Sequence, residues 1–215
     1  MSFQTQRPRL FLADDHSLIL EAFTNLLEPK YEVVGTATDG RQMLAEVRKL
    51  KPEVVVLDIT MPNLNGFDAG EKLKKYLPEV KLVFVTMNED PELVTEAFRI
   101  GANAYLLKSS AAAELFQAID VVLNNGKYVT PEITRNMIDE FIKNPAGEKT
   151  HAHLTVRQRE VLQLLAEGNT MKQVAAILSI TPRTVAFHKY QIMETLGIKT
   201  NSELIKYAIK HGISS

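Results

Sequence analysis

Residues 52–66 read PEVVVLDITMPNLNG, and this stretch decides the fold. The run Val54–Leu57 is apolar without alternation, the pattern of a strand buried on both faces in a parallel sheet. It drives directly into a lone carboxylate, Asp58. Met61-Pro62 and Asn65-Gly66 then punctuate a loop before the next helix. In open α/β sheets ligands bind at the carboxyl ends of the strands, so an acidic residue there suggests chemistry. Taken alone, Asp58 could equally be a strand-terminating residue that caps a turn.

The same pattern recurs on either side of this stretch. Arg9–Ala13 is apolar and ends in Asp14-Asp15; helical spacing follows over Ser17–Leu27, stopped by Pro29. Tyr31–Val34 reads as a short strand closed by Gly35, and Asp39–Leu50 as a helix. After the Val54 strand comes a helix from about Phe67 to Leu77, stopped by Pro78, then a strand Lys81–Val85 that ends in Thr86. Pro91–Ile100 has Pro in its first turn and Gly101 after its end, as capping prefers. Ala104–Leu107 delivers Lys108, and a helix runs from Ser110 to about Asn125. Strands alternating with helices imply crossover connections, hence a five-stranded parallel doubly wound sheet.

Parallel strands all point the same way, so Asp14-Asp15, Asp58, Thr86 and Lys108 converge on one sheet edge. Three converging carboxylates repel one another unless a hard cation sits among them, which implies Mg²⁺. A lysine and a hydroxyl beside that ion supply what phosphoryl oxygens need, and one carboxylate can attack phosphorus. Asp58, ending the apparent central strand, is the expected nucleophile; Asp14 and Asp15 are the expected metal holders.

These residues resemble the receiver domain of bacterial two-component response regulators, a flavodoxin-like α/β fold. The resemblance rests on the acidic pair after strand one, Asp58 with the following D-x-x-M-P and N-G, Thr86 and Lys108, and covers residues 8 to about 126. It implies that Asp58 accepts a phosphoryl group from a sensor histidine kinase and that Lys108 pairs with that group. It also implies that the Thr60 backbone carbonyl joins Asp14, Asp15 and Asp58 around Mg²⁺, and that Thr86 and Tyr105 form the switch. On spacing alone Tyr105 is equally a half-buried strand aromatic. Such a protein catalyses only its own phosphorylation and dephosphorylation. Two rivals share the residues. A haloacid-dehalogenase-like phosphatase also uses Asp, Thr, Lys and Mg²⁺, but needs a D-x-D motif on its first strand, where this chain has adjacent aspartates. A DNA-binding protein with an inert receiver is the other.

Composition sets the outer bounds. The chain has 215 residues, 45% of them hydrophobic, and no apolar run approaches a membrane span. There is no cysteine and no signal-peptide-like start, which together suit a reducing cytoplasm. The net charge of -1 conceals an asymmetry. Residues 149–215 carry 9 Lys/Arg against 4 Asp/Glu, and residues 1–148 carry 16 against 22. A basic tail on an acidic body is the pattern of a polyanion-binding module joined to something else.

The expected division is a receiver over 1–126, a linker with a helix over 127–149, and a small all-α domain over 150–215. In the linker, Thr130-Pro131 opens a helical pattern that Asn144-Pro145-Ala146-Gly147 breaks. Beyond it, Thr155 with Gln158 forms a capping box ahead of Val161, Leu162, Leu164 and Leu165, and Gly168 stops that helix. Thr170 caps a helix over Met171–Leu178; Ser179-Ile180-Thr181 is a tight connection to a longer helix from Pro182 to Leu196, and Thr200 with Glu203 caps the last. Two helices so joined are a helix-turn-helix. LTVRQREVLQLLAEG, TMKQVAAIL, TVAFH and LGI resemble the LuxR-type DNA-binding domain of the NarL/FixJ subfamily. That resemblance implies double-stranded DNA as partner, through Lys172, Arg183, Thr184, Ala186, Phe187, His188, Lys189 and Tyr190, with a homodimer on paired half-sites. Helical geometry puts Arg183, Phe187, Tyr190 and Glu194 opposite Val185, Ile192 and Leu196. Outward aromatics mark a partner surface, and Phe can contact thymine methyls. The alternative is that Phe187 packs on the linker or receiver. Ala186, Phe187, Tyr190, Thr195 and Asn201 depart from residues common in the family, which leaves the target sequence open.

Overall fold

A computed structural model describes residues 7–143 and 154–214. The first unit is a parallel sheet of β1 (Arg9–Ala13), β2 (Glu32–Ala37), β3 (Val54–Leu57), β4 (Lys81–Thr86), β5 (Ala104–Leu107) and β6 (Tyr128–Val129), in the order β2-β1-β3-β4-β5-β6. Helices α1 (Ser17–Leu27), α2 (Gly40–Leu50), α3 (Gly66–Tyr76), α4 (Pro91–Arg99) and α5 (Ala111–Leu123) make the crossovers. Because side chains alternate along a strand, each strand feeds two cores. Phe11, Val55, Leu57, Leu82, Phe84 and Tyr105 face α2, α3 and α4. Leu10, Leu12, Val54, Val56, Val83 and Leu106 face α1 and α5.

Three expectations need correction. The sheet has six strands: Tyr128–Val129 pairs in parallel with Ala104–Tyr105, and Leu107 N donates to Thr130 Oγ1. Two residues carry no periodicity, so sequence could not show this strand. The following helix α6 (Pro131–Lys143) therefore belongs to the receiver unit, with Ile133 buried in its core, and the unit does not stop at 126. The expected helix break at 144–147 lies outside the described residues. Gly35 also does not close β2. A Cβ there would stand 2.9 Å from Leu50 and Phe11 side-chain carbons, so glycine lets the strand run on against its neighbours.

The second unit is all helical: α7 (Val156–Ala166), α8 (Met171–Leu178), α9 (Pro182–Leu196) and α10 (Asn201–Lys210). Full capping boxes open α7, α8 and α10, from Thr155/Gln158, Thr170/Gln173 and Thr200/Glu203. Ser179 and Gly197, both left-handed, end α8 and α9. Leu154, Val161, Leu162, Leu164, Val174, Val185, Ile192, Leu204 and Ala208 form its core.

The two units meet along α7 and α3. Arg159 donates from Nε to Asp68 Oδ1 at 2.7 Å and from Nη2 to Glu71 Oε2 at 2.8 Å. Lys72 pairs with Glu160, which also holds Arg157. At the far end of α10, the Gly212 position lies against Ile59 and Leu93.

Candidate functional site

The strand order places β1 and β3 side by side, with the crossover from β1 going outward to β2 and from β3 outward to β4. That reversal opens a crevice at the carboxyl ends of β1 and β3. Ala13 pairs with Leu57, so Asp14 and Asp58 emerge as neighbours, and Asp58 N donates to Ala13 O at 2.8 Å. Both carboxylates are buried.

Lys108, delivered by β5, places Nζ 2.7 Å from Asp14 Oδ2 and 2.8 Å from Asp58 Oδ2. Burial works against its charge, but the two carboxylates outweigh that and hold its pKa above the usual lysine value. Burial pushes the Asp58 carboxyl up, against the pull of Lys108 and of a hydrogen bond from the Thr60 amide, with Asp14 adding to the rise. Two acids and one internal cation are thus held in a nearly dry pocket.

Asp14, Asp15, His16 and Asp58 present ligand atoms that all lie within 4.8 Å of one another. Asp15 Oδ1 is buried and accepts no hydrogen bond, although His16 Nδ1 stands 2.8 Å away. A hard divalent cation fits this oxygen-rich set, and it would give the buried Asp15 oxygen a partner beyond its ion-pair contact with His16. His16 was not singled out in the sequence; its place directly after the acidic pair was the available signal.

Thr86, at the end of β4, is buried, and its Oγ1 accepts from Asn88 N at 3.2 Å. Tyr105 points into the core, and its hydroxyl donates to Asn88 O at 2.9 Å. Burial pushes the Tyr105 hydroxyl far above its ordinary value, so it stays a donor. Both expected switch residues therefore converge on the loop between β4 and α4.

Gly66 sits against the backbone of Asp58: a Cβ there would lie 2.0 Å from Asp58 O. Gly66 N also donates to Ile59 O at 2.7 Å. The turn that the N-G dipeptide signalled is thereby folded back onto the strand end, where only glycine fits.

In the helical unit, α9 packs through Val185 and Ile192, and Arg183, Phe187, Tyr190 and Glu194 are exposed as the helical wheel requires. Phe187 is 58% and Tyr190 69% exposed, so the described residues of the receiver leave this face open, and the rest of the linker on which Phe187 was alternatively expected to pack lies outside the described residues. Lys172 is exposed on α8; Ala186, His188 and Lys189 are partly buried beside the stripe. The Thr184 amide donates to Thr181 Oγ1, the N-cap of α9. His188 and Phe187 rings meet edge to face at 5.9 Å.

Sequence reading missed the residues that join the units. Gln163 is fully buried, although it stands in the helix as one polar residue between Leu162 and Leu164. Arg159, Glu160, Gln163 and Glu167 recur at helical spacing and form a polar stripe, which sequence alone reads as a solvent face.

Residues 10–120 match the family described as response regulator receiver domain, and residues 152–208 the family described as bacterial regulatory proteins, luxR family. The chain is similar to the oxygen regulatory protein NreC of Staphylococcus carnosus, 31% identical over 94% of this chain and 97% of that protein. Its likeness to NreC of Staphylococcus aureus is 33%, over the same shares. A solved LuxR-family two-component response regulator from Aurantimonas is 31% identical over 64% of this chain and 99% of its own, with a TM-score of 0.61. The RcsB response regulator of Salmonella typhimurium shares the fold over 96% of this chain and 99% of its own, at 24% identity and a TM-score of 0.68.

Proposed function

The chain belongs to the two-component response regulators of the NarL/FixJ type, a receiver joined to a LuxR-type helix-turn-helix, and on that premise we propose that Asp58 is the phosphoacceptor that governs its transcriptional output. The observation that carries this is Lys108 Nζ held between Asp14 and Asp58 at the sheet's switch point. An Asp58 oxygen attacks the phosphorus of a donor, the bond to the leaving group breaks, and an acyl phosphate remains on the carboxylate. Lys108, already in reach, pairs with the new phosphoryl oxygens.

Asp14, Asp15, Asp58 and the Thr60 carbonyl would hold Mg²⁺, which when bound offsets negative charge among the carboxylates and the phosphoryl group. Thr86 and Tyr105 transmit the change, since both bond to Asn88 in the loop before α4. The donor is a sensor histidine kinase, and the protein turns over no external substrate. No described helix is long and apolar enough to cross a membrane, and the working place we assign is the cytoplasm.

The output is DNA binding by a homodimer. Lys172, Arg183, Thr184 and Lys189 serve the phosphates; Ala186, Phe187, His188 and Tyr190 face the base edges of a major groove, two half-sites lying about one helical turn apart. RcsB structures described as bound to DNA, one as two dimers on two parallel DNAs, support this reading. Titration of a duplex selected from a random pool, before and after treatment with acetyl phosphate and Mg²⁺, tests it. Phosphorylation should raise affinity and bring a dimer onto two half-sites by sedimentation. A monomer footprinting one half-site, unaffected by treatment, contradicts it.

A further inference from the structure

The loop from Thr60 to Asn65 links Asp58 to α3, and it is held by the DNA-binding unit. Gln163 of α7 donates from Nε2 to Met61 O at 2.7 Å and to Glu167 Oε1 at 2.8 Å. Its Oε1 accepts from Asn65 N at 2.8 Å and from Asn65 Nδ2 at 3.1 Å. A glutamine amide has two donor hydrogens and two acceptor lone pairs, and here all four are used, three of them on or against this one loop. The amide cannot be turned over, because its NH₂ would then face the Asn65 N–H. Beside these bonds the Asn63 backbone, left-handed at φ 64°, tempers the burial-driven rise of the Glu167 pKa. The same loop closes on the reacting group: Gly66 N, just past its far end, donates to Ile59 O at 2.7 Å, and the Gly66 position lies against the backbone of Asp58.

Among the described residues nothing covers the aromatic stripe of α9, where Phe187 and Tyr190 stay exposed. What docking restrains is the phosphoacceptor loop. We propose that Gln163 is a positioning residue supplied by the DNA-binding unit, which holds the Thr60–Asn65 loop in its resting form and lowers the affinity of the Asp58 pocket for a phosphoryl group. This rests on the reading of Asp58 as phosphoacceptor. The sign comes with the resting form: a phosphoryl group at Asp58 displaces the loop from it and so favours separation of the units, and separation favours that group by the same factor. An event that pulls α7 from the loop, DNA binding included, therefore charges the receiver.

Beryllofluoride with Mg²⁺, an equilibrium stand-in for the phosphoryl group, reads this directly. Fluorine NMR titrations compare the full-length protein with Gln163→Ala and with Gln163→Glu, which keeps the shape but turns an oxygen toward Met61 O and Glu167. Both variants should bind beryllofluoride more tightly, by about fivefold or more. A residue that merely props up the fold would weaken binding when removed, so a loss in either well-folded variant overturns the proposal. Equal affinity in all three proteins overturns it as well. Should no bound fluorine signal form in the wild type, the reading of Asp58 itself fails, which is a separate result.

Discussion

Arg159 and Asp68 are 91 residues apart in the chain, yet the guanidinium of one lies 2.7 Å from the carboxylate of the other across the boundary between the two units. Asp68 is fully buried, and burial raises its pKa against the pull of Arg159 and Asn65. Removing one partner of such a pair strands a charge, at a cost of about 3–5 kcal/mol. Arg159→Ala should therefore separate the units, seen as an increased radius of gyration in small-angle scattering. Adding Asp68→Asn should return part of the lost stability in urea unfolding, since the stranded charge is gone. A compact Arg159→Ala protein would show that this pair does not hold the units together.

Gly66 makes a second prediction, of a steric kind. A Cβ at that position would run into Asp58 O, so Gly66→Ala must displace the loop or the strand end. The expected cost is about 3 kcal/mol in thermal or urea unfolding, with loss of phosphorylation. A variant as stable and as reactive as the wild type would place the loop elsewhere.

How far these sites were legible in the sequence differs by site. Buried parallel strands announce themselves by unbroken apolar runs, and each such run here ends on a chemical residue, so Asp14, Asp58, Thr86 and Lys108 were readable together. Capping residues did the same for α7 to α10. β6 was not readable because two residues have no period, and α6 was then assigned to a linker although Ile133 anchors it on the receiver. Gln163 was the larger omission. A polar residue on a helix looks solvated until the other unit arrives, and nothing local in LQLLAEG shows that a loop ~100 residues earlier will use every bond its amide can make.

Lys108→Ala should still allow some phosphorylation while uncoupling it from DNA affinity. The cation that bridges Asp14 and Asp58 is then missing, and the phosphoryl group loses the contact through which it draws on the loop. Phosphorylation measured by mass, beside DNA affinity measured on the same sample, checks this. A phosphorylated variant with wild-type gain in affinity would remove Lys108 from the coupling.

The stripe on α9 separates two kinds of contact. Lys172→Ala should weaken binding to all duplexes alike and flatten the salt slope by about one unit. Phe187→Ala should cost roughly 1–3 kcal/mol on a selected site and far less on scrambled DNA, because contact with a thymine methyl depends on sequence. Equal loss on both duplexes would take Phe187 out of base readout.

Every step from signal to DNA runs through Asp58, and intact-mass measurement after incubation with acetyl phosphate and Mg²⁺ tests it, on the wild type and on Asp58→Asn. Asp58 lies at a polar strand end, so the variant should keep its fold by circular dichroism. The wild type should carry a single phosphoryl adduct and Asp58→Asn none. An unmodified wild type, or an adduct that persists at full yield in Asp58→Asn, would contradict the assignment of Asp58 as the phosphoacceptor.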